Sequence, residues 1–237
     1  MQQFTFTSEE IDNHAASYKD WHNFVRRREA EMTFSLFPDQ RFQNALELGA
    51  GDGGQSATIS QYCDRLTCTE KDEKSYEWLG KSILERKAQN TEYLLCDAQD
   101  LSRFPDAQFD LVFSSNMLEH IPDVEKCLKE CGRVLSDDGQ MLHLMPSRWW
   151  KVFNLGLGIM NRNPEWLHGV SRTILREFYS FGSGVWKRRI ESNGLIVKHI
   201  VGMPFYVGHG NSFISIIKAG NWLRLPASYL YVIRRSD

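Results

Sequence analysis

Short apolar runs ending in polar or glycine-rich turns recur along this chain, separated by stretches in which apolar residues return every three or four positions. Thr7-Ser8-Glu9-Glu10 has the form of a capping box. Ile11, Ala15, Tyr18, Phe24 and Val25 follow at roughly helical spacing, so a helix over about 7–37 is expected before any strand. Asn44–Gly49 reads as a first strand running into a glycine-rich turn, and Gln55–Tyr62 as the helix after it. Arg65–Glu70, Tyr93–Asp97 and Phe109–Ser114 read as further strands. A helical stretch through Tyr76, Leu79 and Ile83 follows the first of these, and a helix over Asp123–Val134 follows the last. A turn at Ser136–Gly139 then leads into a strand over Met141–Met145.

Five strands alternating with helices predict an α/β fold with a doubly wound, mainly parallel sheet covered on both faces. The tail departs from the alternation, with a helix over Val185–Ser192 and strands over Leu195–Val201 and Tyr229–Arg234. Between the fifth strand and that helix, about 147–183, lies an insertion rich in aromatic and cationic residues. The expectation is one domain over 1–237 with this insertion as a lid. Ligands of such sheets bind at the carboxyl ends of the strands, which directs attention to Glu47–Gly54, Glu70, Asp97 and Ser114–His120.

Bulk composition narrows the class. At 237 residues and 42% hydrophobic the chain can bury one sizeable core. A net charge of -2, from 28 basic and 30 acidic residues, supplies no overall field that draws it to nucleic acid or an anionic membrane. The five cysteines form no C-x-x-C pair, no run of 18 apolar residues occurs, and the opening residues lack the pattern of a secretory signal. A cytoplasmic protein with reduced thiols is expected.

The turn Gly49-Ala50-Gly51-Asp52-Gly53-Gly54 lets backbone approach a ligand closely, and its spacing also satisfies the dinucleotide fingerprint, with Glu70 about twenty residues on. A nicotinamide-dependent oxidoreductase therefore remains an alternative, as does a non-catalytic scaffold that keeps the pocket. Glu47 tips the balance, because a carboxylate before the turn suits a cationic ligand better than a pyrophosphate.

Ala45–Gly53 resembles motif I of the class I S-adenosylmethionine-dependent methyltransferases. The resemblance runs on through Glu70, Cys96-Asp97-Ala98 and Phe109–Asp123, the last similar to the small-molecule branch. It implies a Rossmann-like seven-stranded sheet with an antiparallel last strand, S-adenosyl-L-methionine as cofactor, and a small-molecule acceptor, lipid- or sugar-linked acceptors included. The cofactor residues implied are Glu47, Gly49, Ala50, Gly51, Gly53, Glu70, Lys71, Asp97, Ala98 and Ser114, with Glu70 at the ribose hydroxyls and Asp97 either at the adenine or capping a turn.

His120 is the candidate general base for a hydroxyl acceptor, a structural hydrogen bond being its other reading. Glu119-His120 is also similar to the metal-binding pattern of ubiquinone-type O-methyltransferases, but Asn116 stands where that pattern has a further acidic residue, so no metal is assigned. Tyr18 and Trp21 either close over the cofactor or simply pack their helix. In the insertion, Trp149, Trp150, Phe153, Trp166, Phe178 and Tyr179 offer aromatic surface, while Arg148, Lys151, Arg162, His168, Arg172 and Arg176 offer cationic donors.

Overall fold

A computed structural model describes residues 3–15, 17–85, 89–160, 167–207 and 214–236. The chain runs α1 (Ser8–His14), α2 (Tyr18–Phe34), β1 (Phe42–Leu48), α3 (Ser56–Ile59) with a 3-10 turn over Ser60–Tyr62, β2 (Cys63–Glu70), α4 (Glu73–Glu85) and β3 (Thr91–Leu95). It continues through β4 (Phe109–Ser115), a 3-10 turn over Leu118–His120, α5 (Val124–Val134), β5 (Leu135–Pro146), α6 (Arg148–Met160), α7 (Ile174–Ser180), α8 (Ser183–Glu191), β6 (Leu195–Gly202), α9 (Ile214–Trp222) and β7 (Ser228–Arg235).

The strands form one sheet in the order β3-β2-β1-β4-β5-β7-β6. All pairings are parallel up to β5, and β7 runs antiparallel to both β5 and β6. Each face carries its own apolar core. Ala45, Cys68, Leu111 and Phe113 pack beneath Trp21, Phe24 and Phe34 from the N-terminal helices, whereas Leu46, Leu48 and Val112 pack with Cys127, Leu128 and Trp186. Helix α5 shows why the sequence pattern was informative: Val124, Cys127, Leu128, Cys131 and Val134 fall on one stripe and all are buried, and the Asp123 carboxylate caps its first turn by accepting from the Lys126 amide at 3.0 Å.

Two expectations are corrected. The continuous N-terminal helix over about 7–37 is two helices. The capping box of Thr7 and Glu10 does start α1, but the chain turns at Ala15 and restarts at Ser17, whose hydroxyl accepts from the Asp20 amide and so caps α2. The turn at Ser136–Gly139 lies inside β5, where the pairing with β4 slips between Phe109 and Leu111; the extra residues are absorbed as a strand irregularity rather than a loop. Helix α9 was not anticipated. Among the described residues no helix is long and apolar enough to cross a membrane.

Strand order reverses between β1 and β4, leaving a crevice beyond their carboxyl ends between the loops that depart to opposite faces.

Candidate active site

The turn after β1 enters this crevice with Gly49 and Gly51 at φ of 65° and 57°, left-handed values that suit glycine. At Gly49 space matters as well: a Cβ would stand 2.5 Å from Cγ of Met117, on the loop after β4. At Gly51 nothing lies within 4 Å of that position, so its open side is left for a ligand. The Glu70 carboxylate ties the turn to the end of β2. One oxygen accepts from the Gly51 amide at 2.9 Å, and the other from the amides of Lys71 and Asp72 at 2.8 and 3.0 Å. Ala50 is held by its amide, which donates to the Thr69 carbonyl at 2.9 Å, and Gly53 donates back to the Ala50 carbonyl.

Beside this turn opens a cavity of about 520 Å³, within the size range of small-molecule and cofactor sites. Its walls bring together Gly49, Glu70, Lys71, Asp97, Ala98 and His120, six of the residues singled out from sequence. Lys71 Nζ pairs with Asp97 at 2.6 Å, and the Gln99 amide donates to the same carboxylate. Partial burial pushes the Asp97 carboxyl up, but Lys71 and Gln99 outweigh it and hold the group below its ordinary value.

Other candidates lie elsewhere. Glu47 does not line the cavity: alternation along β1 turns it to the opposite side from Leu46 and Leu48, where it is buried and accepts from the Cys68 thiol at 3.2 Å. Burial pushes its carboxyl up to about 7. Ser114 is likewise fully buried, its hydroxyl 2.8 Å from His143 Nδ1, and burial pushes that imidazole down to about 4. Trp21 packs in the core against Phe6 and Phe24 and donates its indole N–H to the Val207 carbonyl. The Tyr18 side chain, Arg162 and Trp166 fall outside the described residues.

Asp72, Cys96, Asn116, Met117 and Ile121 complete the cavity wall; none of them is assigned a cofactor or catalytic role by the sequence, although Asn116 and Met117 fall within Ser114–His120. Asn116 adopts a φ of 49°, a left-handed value that asparagine tolerates better than most residues, and its side-chain amide lies against the Arg26 guanidinium on α2. That positive φ has no mark in the local pattern beyond the residue type itself.

At the mouth of the cavity His120 stands 3.8 Å from Glu119, whose buried carboxyl is pushed up to about 8 by burial. The insertion reaches this point. The Val170 amide donates to the Glu119 carbonyl, and the His168 ring lies 4.9 Å from that of His120 and 4.7 Å from that of Trp150. One ligand atom from each of Glu119, His120 and His168 lies within 4.8 Å of the others, so these three are also the described residues that could hold a divalent cation.

Lys151 is not available to an acceptor: it is buried and paired with Glu177 at 2.6 Å. Phe153 packs on Phe205, and Arg148 lies over the Phe178 ring. Trp149, Leu175 and Tyr179 remain exposed on α6 and α7.

Residues 46–143 match the family model described as a methyltransferase domain. The sheet order and the glycine turn are likewise similar to those of S-adenosylmethionine-dependent methyltransferases. The chain is similar to the ubiquinone biosynthesis O-methyltransferase of Pseudomonas fluorescens, 28% identical over 69% of this chain and 68% of that protein. It is also similar to the demethylmenaquinone methyltransferase of Leptospira interrogans, 29% identical over 54% of this chain and 53% of that protein, so the alignments span between about half and two thirds of these relatives. Among solved structures, an S-adenosylmethionine-dependent methyltransferase from Aquifex aeolicus superposes with a TM-score of 0.61 at 11% identity, over 97% of this chain and 99% of that one.

Proposed function

We propose that this chain transfers the methyl group to a hydroxyl oxygen of a small aromatic acceptor of the quinone-precursor type, working in the cytoplasm as a single methyltransferase domain with 147–183 as its acceptor-side lid. The observation that carries this reading is His120: it lines the same cavity as Gly49 and Glu70 and stands beside Glu119 and the insertion, where a methyl donor and an acceptor would meet. The names of the quinone-related relatives agree with it.

S-adenosylmethionine fits the cradle. Gly51 leaves its outer side open, and the acidic cluster of Glu70 and Asp97 suits hydroxyl and amino groups rather than phosphates. When bound, it supplies a methyl carbon already activated by a sulfonium. In the proposed arrangement Gly49, Ala50, Gly51 and Gly53 follow its amino-acid and ribose portions. Glu70 accepts from the ribose hydroxyls, while Lys71, Asp97 and Ala98 border the adenine. Glu47 and Ser114 act from behind, holding β1 and β4 in place. His120 takes the proton of the acceptor hydroxyl, and the walls supply proximity, which accounts for much of the catalysis in an in-line displacement.

The test is release of S-adenosylhomocysteine with hydroxylated aromatic acceptors, with and without an isoprenoid tail, against amines and nucleotide sugars. Methylation of a hydroxyl in the aromatic set is expected. Transfer confined to amines or sugars, or tight NADH binding without S-adenosylhomocysteine binding, overturns the reading.

A further inference from the structure

We propose that His168, supplied by the insertion and lying outside the matched 46–143 segment, is a second catalytic imidazole. Its ring N–H donates to the acceptor oxygen and stabilises the oxyanion left as His120 removes the proton. This rests on the hydroxyl-acceptor reading above.

The geometry of the three side chains carries it. Ligand atoms of Glu119, His120 and His168 are all within 4.8 Å of one another. A ring nitrogen of His120 and one of His168 are therefore no more than 4.8 Å apart, so one oxygen lying between them is within ordinary hydrogen-bond length of both. Glu119 points both carboxyl oxygens into a region shut from solvent, where neither has a hydrogen-bond partner among the described residues. A buried polar group left so is costly unless a ligand completes it.

His168 is held there by more than a loop tether requires. Its own amide and that of Gly169 donate to one Glu177 oxygen at 2.6 and 2.7 Å, and the other Glu177 oxygen pairs with Lys151 at 2.6 Å. Both charged side chains are shut from solvent, an arrangement that costs desolvation and fixes geometry rather than adding stability. Gly169 then passes so close to the Glu119 carbonyl that a Cβ would stand 2.5 Å from it. Helices α6 and α7 are thereby locked to the backbone of the turn that carries Glu119 and His120.

In the step itself the acceptor O–H bond breaks and its proton passes to His120, which is nearly half exposed and can release it to water. The oxygen, held by the His168 N–H, forms the new O–CH3 bond. The donor's carbon–sulfur bond breaks, and its electron pair stays on sulfur as a neutral thioether.

The experiment uses the full chain complexed with S-adenosylhomocysteine, titrated with 4-nitrocatechol, whose anion is visible by absorbance. The wild type is expected to bind the probe as its anion at a pH where free probe is protonated. In His168→Ala the bound probe should ionise at least one pH unit higher, with S-adenosylhomocysteine affinity changed less than about twofold. His168→Gln, which keeps an N–H donor, should recover part of the shift. In turnover with S-adenosylmethionine and the same catechol, His168→Ala should lower kcat roughly 100-fold, the usual effect of losing an oxyanion donor, and move the acid limb of the pH profile upward. An unchanged ionisation in His168→Ala overturns the proposal while leaving the hydroxyl-acceptor reading intact. Failure of the wild type to bind the probe overturns both. Ionisation lost to a chelator and restored by magnesium also overturns it, since the three groups then hold a cation.

Discussion

Glu70 Oε2 lies 2.9 Å from the amide nitrogen of Gly51, so a carboxylate at the end of β2 sets the shape of the turn after β1. Because its other oxygen is engaged by the Lys71 and Asp72 amides, Glu70→Ala removes three hydrogen bonds at once. The expected loss in S-adenosylhomocysteine affinity is about 2 to 4 kcal/mol, from charge-assisted bonds that order the turn and meet the ribose. Calorimetry checks it, and a loss below a few tenths would place the ribose elsewhere.

Gly49 and Gly51, both left-handed, should separate by what they meet. Gly51→Ala faces open space and pays only for its dihedral, about 1 kcal/mol, so the protein should fold while the ligand loses its approach. Gly49→Ala adds a collision with Met117 and should cost about 2 to 4 kcal/mol. Thermal unfolding should rank the variants in that order, with Met117→Ala relieving part of the second cost but none of the first.

Stability should fall as pH rises through neutrality. Burial raises the Glu47 carboxyl to about 7 and the Glu119 carboxyl to about 8, so the folded chain binds protons that the unfolded chain has released. This contribution is fully present below the ordinary carboxylate value near 4.5 and disappears on passing pH 7 to 8. Glu47→Gln should therefore flatten the slope and stabilise the protein at pH 8 by about 1 to 3 kcal/mol. Urea denaturation at pH 5.5 and pH 8 measures both effects, and an equally steep slope in the variant would refute the assignment.

Lys151→Met leaves the Glu177 carboxylate shut from solvent without its cation, at an expected cost of about 3 to 5 kcal/mol. Adding Glu177→Leu should recover most of that stability but not methyl transfer, because the His168 and Gly169 amides have lost their acceptor. A double variant with full activity would show that the pair only packs the insertion.

The order and type of the strands, and the crevice residues Gly49, Glu70, Lys71, Asp97, Ala98 and His120, were legible because they depend on local pattern. Alternation marks strands, a helical stripe marks α5, and glycine clusters mark close turns. The break between α1 and α2 was hidden because Ile11, Ala15 and Phe24 keep helical spacing across it, and only the weaker Ser17 cap interrupts them. Glu47 was read as facing the ligand because its place beside the turn was visible, whereas the face it occupies depends on strand parity. The left-handed conformation of Asn116 and the meeting of His168 with Glu119 were not legible. The first depends on one dihedral angle, and the second on two helices folding a distant segment back over β4.

The sheet order places β7 between β5 and β6, so residues 195–202 have no neighbouring strand until 228–235 arrive. During synthesis the first five strands can assemble in the order they leave the ribosome, but β6 must wait. Meanwhile the edge of β5, with its buried His143 and Leu144, stays open to the wrong partner. The nascent chain is thus most exposed to mispairing over the interval between residues 146 and 235, the stretch that also carries the insertion, and a ribosomal pause there would lengthen that exposure.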